Sequence, residues 1–299
     1  MEPKPHCTYE RQLDLLKERG MRIDDDAAAL ALLERAGYYT LSGYSYLFRV
    51  PASDGSRADQ FSPGTSISQV RALWEFDHRL RSTTFAAIQH VETYLRALLA
   101  YSLGAVDPMI HRKRELLSID QPGAYPRWLE KLDRKIADSR EEFIVHHREK
   151  RGGVVPIWVA TDVLDWGSLS YLYSFAPLSV REQVAQRFRI SPPQLKSWLL
   201  ALNIVRNVCA HHGRFYNRYY SLTPKLPQGE RDKSFDVIAS AKGTTFAMLT
   251  LMQHLSSCTV GASMRVLPAV VRTFPSDSGL SPAVMGVPDR WDSYPLWRR

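Results

Sequence analysis

Residues 191–213 read Ser-Pro-Pro-Gln-Leu-Lys-Ser-Trp-Leu-Leu-Ala-Leu-Asn-Ile-Val-Arg-Asn-Val-Cys-Ala-His-His-Gly. Ser191 stands where a helix N-cap is wanted, Pro192 takes the first helical position, and Gln194 takes the third, from which its amide reaches back to the cap. Leu195, Trp198, Leu199, Leu202 and Val205 follow at intervals of three and four, the spacing of one buried helical face. The stretch predicts a long amphipathic helix that runs directly into a polar, basic end.

The helical period recurs in both directions. Ser66 and Gln69 repeat the capping pattern ahead of residues 67–103, where Ile67, Val70, Leu73, Leu80, Ile88, Val91, Leu95 and Leu98 form an apolar stripe and Gly104 closes the run. Residues 8–19 carry Tyr9, Leu13 and Leu16 and end at Gly20. Residues 24–36 begin with three aspartates and stop at Gly37, which suit a helix N-terminus and a helix stop. Residues 127–150 keep helical spacing (Trp128, Leu132, Ile136, Phe143) among charges of both signs and read as one surface helix. Residues 157–175 read as a buried helix or helix pair, 179–188 as a short helix and 236–256 as the last one. Residues 38–46 read as an aromatic turn or short extended segment, and residues 52–65 as a surface loop. Pro268, Pro275, Pro282, Pro288 and Pro295 imply a mostly irregular C-terminal tail. Strand signals are few, so the fold class is all-α.

Of 299 residues, 44% are hydrophobic and 23% charged, the proportions of a folded domain rather than of a disordered or fibrous chain. No run of about 18 apolar residues is present, which argues against a transmembrane helix. Residues 1–6 lead into charges with no apolar core, so no secretory signal is expected. Cys7, Cys209 and Cys258 are odd in number and far apart, which argues against a disulfide framework and for a cytoplasmic location. The net charge is +8, and residues 181–233 hold ten Lys/Arg against three Asp/Glu, with no acid between Glu182 and Glu230. Such a one-sign stretch is the footprint of a polyanion binder, although a basic surface with no specific partner carries the same charge.

Residues 206–218, Arg-Asn-Val-Cys-Ala-His-His-Gly-Arg-Phe-Tyr-Asn-Arg, concentrate three arginines, two histidines and two asparagines without an acid. Asn207, His211 and Arg214 share a stripe if the helix continues that far. Arg206 and His211 are five apart, about 140° around a regular helix. They converge only if the helix ends or distorts near Gly213, or if two copies of the segment face each other. Cys209, His211 and His212 lack a second ligand pair, and His146-His147 lies in a charged run, so no metal site is expected. No Gly-rich phosphate loop occurs, and no cofactor is expected.

The pattern Arg206-Asn207-x-x-x-His211 resembles the signature of HEPN-domain ribonucleases. The longer string Trp198-Leu199-x-x-Leu202-Asn203-x-x-Arg206-Asn207-x-x-Ala210-His211-His212-x-Arg214-x-x-Asn217-Arg218 resembles the abortive-infection, AbiD/AbiF-type branch. So do Leu16-Lys17-x-Arg19-Gly20, Gly37-Tyr38-Tyr39-x-Leu41-Ser42-Gly43-Tyr44, Phe76-Asp77-x-x-Leu80-Arg81, Trp158-x-x-x-Asp162-Val163-Leu164, Gly167-x-Leu169-Ser170 and Met285-Gly286-x-Pro288-x-x-Trp291, in the family's order. The resemblance implies a HEPN-type helical bundle over residues 66–260, an N-terminal helical and aromatic-turn region over 1–65, and a tail over 261–299 that packs on the bundle.

It also implies a bacterial antiphage or toxin-type endoribonuclease that works without metal, in which the ribose 2′-OH attacks the adjacent phosphate. His211 takes the acid/base role, for which an imidazole is suited near neutral pH. Arg206 stabilises charge on the phosphate through its guanidinium fork, and Asn207 orients His211 or the phosphate. Arg214, Asn217 and Arg218 are candidates for RNA backbone contacts, and Tyr216, with Phe215, Tyr219 and Tyr220, for base stacking. Glu92 and His212 are auxiliary candidates. Glu92 with Arg96 is equally well an intrahelical ion pair; the alternative for His211 is a helix C-terminal cation, and for the tyrosines it is core, where such residues are more often found. Because the chain carries one motif, the resemblance implies a homodimer with a composite site. The partner is RNA, as substrate, with a small structured regulatory RNA as a second form of it. The same basic segment also suits a non-catalytic RNA-binding module of a defence ribonucleoprotein, or a protein-interaction subunit.

Overall fold

The computed structural model describes residues 5–227 and 233–298. Residues 1–4, where the chain begins, and Glu230, which closes the acid-free stretch, lie outside them. The described residues are all-α apart from one two-stranded antiparallel hairpin. They divide into two compact units, Met1–Leu80 with Val270–Val284, and Arg81–Ala269 with Met285–Arg299.

The first unit holds α1 (Tyr9–Glu18), α2 (Asp26–Ala36), α3 (Tyr38–Ser45), the strands β1 (Arg49–Pro51) and β2 (Arg57–Phe61), and the beginning of α4 (Ile67–Gly104). Asp25 caps α2 by accepting the Ala28 N–H at 3.0 Å. Gly37, at φ 77°, ends α2 and starts α3 in one residue. A left-handed glycine turns the chain there without a loop. The aromatic run after it is therefore a helix followed by a 3₁₀ turn, not the turn or extended segment expected from its tyrosines. Tyr44 is drawn inside, where its hydroxyl donates to Asp77 at 2.6 Å. Part of the expected 52–65 loop is strand: β1 pairs with β2, and Asp54 accepts the Ser56 N–H at 2.9 Å in the turn between them. These strands of three and five residues are too short and too polar to show a period of two. The start of α4 has the expected capping box: Ser66 N–H donates to the Gln69 side chain at 2.8 Å, and Gln69 N–H to Ser66 Oγ at 3.4 Å.

The second unit holds the rest of α4, α5 (Ala124–Asp138), α6 (Glu142–Lys150), α7 (Ile157–Ala160), α8 (Trp166–Phe175), α9 (Leu178–Arg187), α10 (Pro192–Ala210), α11 (Thr245–Cys258) and the start of α12 (Val266–Arg272). The helix at its centre is α10, which packs against α8, α9 and α11. Ser191 and Gln194 form both halves of its capping box. Leu195, Trp198, Leu199, Leu202 and Val205 are all buried. The Trp166 indole N–H donates to the Leu199 carbonyl at 2.8 Å, and that of Trp198 to the Lys225 carbonyl at 2.8 Å. Helices α8 and α10 come close at Gly167, where a Cβ would lie 3.3 Å from Asn203 Oδ1.

Three expectations are corrected in this unit. Residues 127–150 are two helices, α5 and α6. They are interrupted at residues 139–141, where Ser139 Oγ accepts the Glu141 N–H at 3.2 Å, a local bond that competes with the helix. The last long helix begins at Thr245 rather than at residue 236, because Thr244 is the N-cap and Lys233–Ile238 is a separate 3₁₀ turn. The tail is also less irregular than its prolines suggest. It contains α12, which tolerates Pro268 in its first turn, and buried Trp297 stacks on Phe246 with ring centroids 4.8 Å apart. No helix among the described residues is long and apolar enough to cross a membrane.

His111, in the 3₁₀ turn Ile110–Arg112, is fully buried, and neither ring nitrogen has a hydrogen-bond partner among the described residues. Burial first, and then the Arg112 charge, push its pKa down from 6.5 to about 4, against the opposite pull of Asp133 and Asp107. Above pH 6.5 the ring is neutral in both folded and unfolded chains; below it the unfolded chain takes up a proton that the folded chain refuses until about pH 4. Stability should therefore fall by on the order of 3 kcal/mol across that window. Urea unfolding of His111→Leu at a series of pH values should lack this fall, and an unchanged slope would contradict the assignment.

Candidate nucleic-acid interface

The polar end of α10 is shaped by its backbone. The helix stops at Ala210, and His211 is the C-cap, at φ −98° and ψ 16°, with its N–H on the Asn207 carbonyl at 3.0 Å. The His212 N–H then reaches the Cys209 carbonyl at 3.4 Å and the Gly213 N–H the Val208 carbonyl at 2.9 Å. This is the paired bonding of a Schellman turn. The left-handed position of that turn, usually glycine, is occupied by His212 at φ 57°. Nearly fully buried Arg81 donates to the Gly213 carbonyl at 3.4 Å, which anchors the turn on α4.

The reversal begins after His211, so Arg206 and His211 still leave the helix about 140° apart. Their environments differ accordingly. His211 is exposed, whereas Arg206 is half-buried, with its guanidinium carbon 5.9 Å from the centre of the Phe85 ring. Arg206 Nη1 donates to the Asn207 side chain at 3.4 Å, and its Nε is buried with no partner among the described residues. Asn207 is exposed and, four residues before His211, shares its face. Arg214 lies beyond the turn and so off that stripe.

Behind Arg206 is a charged cluster on α4 and α8. Glu92 receives the Arg96 guanidinium at 2.8 Å, and Arg96 also donates to the Leu164 carbonyl at 3.0 Å. Burial raises the Glu92 carboxyl by more than the Arg96 and Arg206 charges lower it, and the Asp165 charge adds to the rise. Asp165 caps α8 and accepts Lys131 and the Ser168 N–H, each at 2.8 Å. Burial works against it, but these partners together hold its carboxyl well below the usual range. Glu92 is thus both the ion pair its spacing predicts and a carboxyl within the field of Arg206. Phe85 and Asp165 are the participants the sequence does not single out: Phe85 lies within an apolar run, and Asp165 is 41 positions from Arg206.

The segment after the turn is pinned to the start of α11. Thr245 Oγ1 donates to the Phe215 carbonyl at 2.7 Å and accepts the Arg218 N–H at 3.3 Å, while the Tyr220 N–H reaches the Gly243 carbonyl at 2.7 Å. A Cβ at Gly243 would lie 2.7 Å from the Tyr220 carbonyl oxygen, a spacing only glycine permits. Phe215, Tyr216 and Tyr220 are buried, so Tyr216 presents no ring face to a base, contrary to expectation. Tyr219 is 77% exposed instead. Arg214 and Arg218 are exposed, and Asn217 is half-buried with its Oδ1 unpaired among the described residues. Of the surrounding cations, Lys196 is paired with Asp120 at 3.0 Å.

A family model described as Abi-like protein matches residues 31–217, more than half of the chain, and ends within this segment. The chain belongs to the Abi-like protein family. The matched span of this Abi-like chain takes in Glu92 and every interface candidate from Arg206 to Asn217; Arg218, residues 16–20 and residues 285–291 fall outside it. No curated protein and no solved structure matches the chain.

Two substitutions test the local architecture. His212→Gly removes a side chain from a left-handed position and should raise stability by roughly 1 kcal/mol, read as a higher Tm. A lower Tm would show that the imidazole has a structural role. Thr245→Val takes the hydroxyl away from the Phe215 carbonyl and the Arg218 N–H, which keep only their bond to each other at 3.1 Å. It should cost about 1 kcal/mol and speed amide exchange across residues 213–218; unchanged exchange there would contradict the pinning.

Proposed function

We propose that this chain is a HEPN-type endoribonuclease of a bacterial abortive-infection or toxin-type antiphage system, acting in the cytoplasm. The observation that carries the reading is the end of α10. It places an exposed histidine one turn from an exposed asparagine, and that asparagine accepts from a half-buried arginine with an unpaired Nε, within a stretch free of acids.

The chemistry needs only side chains of these types. The ribose 2′-OH loses its proton to an imidazole and attacks the neighbouring phosphorus; the bond to the 5′-oxygen breaks, and that oxygen takes a proton. The products are a 2′,3′-cyclic phosphate and a 5′-OH. His211 serves the proton transfers. Arg206 supplies a fixed guanidinium for the charge that builds on the phosphate oxygens, with Phe85 beneath it and Asn207 beside it. Arg214, Asn217 and Arg218 track the RNA backbone, and Tyr219 rather than Tyr216 offers a face for a base. Glu92, with Arg96, holds the field around Arg206. Since Arg206 and His211 diverge on one helix, a phosphate at His211 takes its guanidinium from a second copy, which makes the working form a homodimer.

Purified protein incubated with total bacterial RNA in EDTA should yield fragments ending in 2′,3′-cyclic phosphate. His211→Ala should slow their formation by about 10²–10⁴. Cleavage of undiminished rate by the Arg206→Ala, His211→Ala double variant would overturn the reading. RNA held equally by both proteins and cut by neither, with affinity falling steeply with salt, would favour a binding module instead.

A further inference from the structure

The last turn of α11 carries a second cluster of reactive groups, on residues the nuclease reading does not use. Cys258 ends the helix and His254 lies one turn before it. The His254 ring packs against Trp198 and Phe235, with centroids 5.4 and 5.1 Å away, and its Nε2 lies 2.8 Å from the Phe188 carbonyl. A carbonyl only accepts, so Nε2 carries a hydrogen. From the connection between α9 and α10, Arg189 extends its guanidinium across the helix end. Nε lies 3.3 Å from Cys258 Sγ, and Nη2 donates to the Ser257 carbonyl at 3.3 Å. Arg189 holds this reach from a left-handed backbone, at φ 54°. A cavity of about 300 Å³ adjoins the cluster, with Arg189, His254 and Ser257 in its wall. Cys258 is part-exposed, whereas Cys209 is buried.

We infer that Cys258 is a modification site, a nucleophilic thiol that takes small hydroperoxides as its oxidant. The thiolate is the reacting form, and an adjacent guanidinium and imidazole stabilise it. Two influences oppose them, the burial of the sulfur and the negative end of α11. Burial pushes the thiol up, but the neighbouring His254 ring and the Arg189 guanidinium outweigh it and bring the thiol down to about 7. In the reaction, sulfur attacks one peroxide oxygen and the O–O bond breaks. The cysteine is oxidised by two electrons to a sulfenic acid, and the peroxide is reduced, its second oxygen leaving as hydroxide and becoming water. Cys258 is itself part-exposed, so a small peroxide reaches it from solvent, and the guanidinium beside Sγ stabilises the departing negative charge.

The test uses the full chain and reads each cysteine separately by peptide mass spectrometry. Iodoacetamide alkylation of Cys258 should show a midpoint near pH 7, against about 8.5 for an ordinary thiol. One equivalent of hydrogen peroxide with dimedone should label Cys258 in preference to Cys7. Arg189→Gly removes the guanidinium while suiting the positive φ, so the fold is kept. It should move the Cys258 midpoint upward, and Cys258→Ser should abolish the label. A Cys258 midpoint near 8.5, a midpoint unmoved by Arg189→Gly, or equal dimedone labelling of Cys7 and Cys258 would overturn the inference.

Discussion

A buried indole N–H must find an acceptor, and in this chain the Trp166 indole finds the carbonyl of Leu199, halfway along α10. The bond sets the rotation of α10 against α8, and the small side of Gly167 lets the two helices close to the distance it needs. With that rotation set, the apolar stripe from Leu195 to Val205 faces inward. Its continuation turns Arg206 toward Phe85 and leaves Asn207 and His211 in solvent. The second indole bond, from Trp198 to the Lys225 carbonyl, brings the chain that follows back along the same helix. The basic segment is thus held at both ends by indole bonds, the one from Trp166 fully buried and the one from Trp198 part-buried.

The character of the site comes from where the helix stops. Had the reversal come at Arg206 or Asn207, the motif arginine and histidine could have met within one chain. It comes at His212, and the Schellman bonds from His212 and Gly213 hold it there. Membership of the Abi-like family rests on a match that ends at residue 217, on the far side of this turn. Under the proposed nuclease reading this geometry calls for a second copy, because one helix end presents His211 and Arg206 in different directions.

Much of this was legible from the residues themselves where the signal is local. The capping boxes at Ser66 and Ser191 and the stripes behind them mark α4 and α10, and both begin where those patterns place them. What escaped depends on tertiary context. Gly37 reads as a stop, and nothing in the tyrosines after it says that a helix resumes at once. The start of α11 is displaced because Thr244 is chosen as cap over earlier positions, with Gly243 held against the Tyr220 backbone. At the interface, the candidates from Arg206 to His211 could be named from their types and spacing. The sequence does not separate Tyr219, which faces solvent, from Tyr216, which fills the core, since both are aromatic residues in the same irregular segment. Phe85 has no signal of its own, because an aromatic residue in an apolar run looks like core until a guanidinium is found above it.

The most direct measurement is complementation in trans. Arg206→Ala and His211→Ala proteins, each devoid of RNA cleavage alone, are unfolded, refolded together and assayed, with native mass spectrometry used to confirm mixed dimers. A site assembled from the histidine of one copy and the arginine of the other predicts that cleavage returns in the mixture and that its products carry 2′,3′-cyclic phosphate ends. A mixture that contains mixed dimers yet remains as inactive as its components would contradict it.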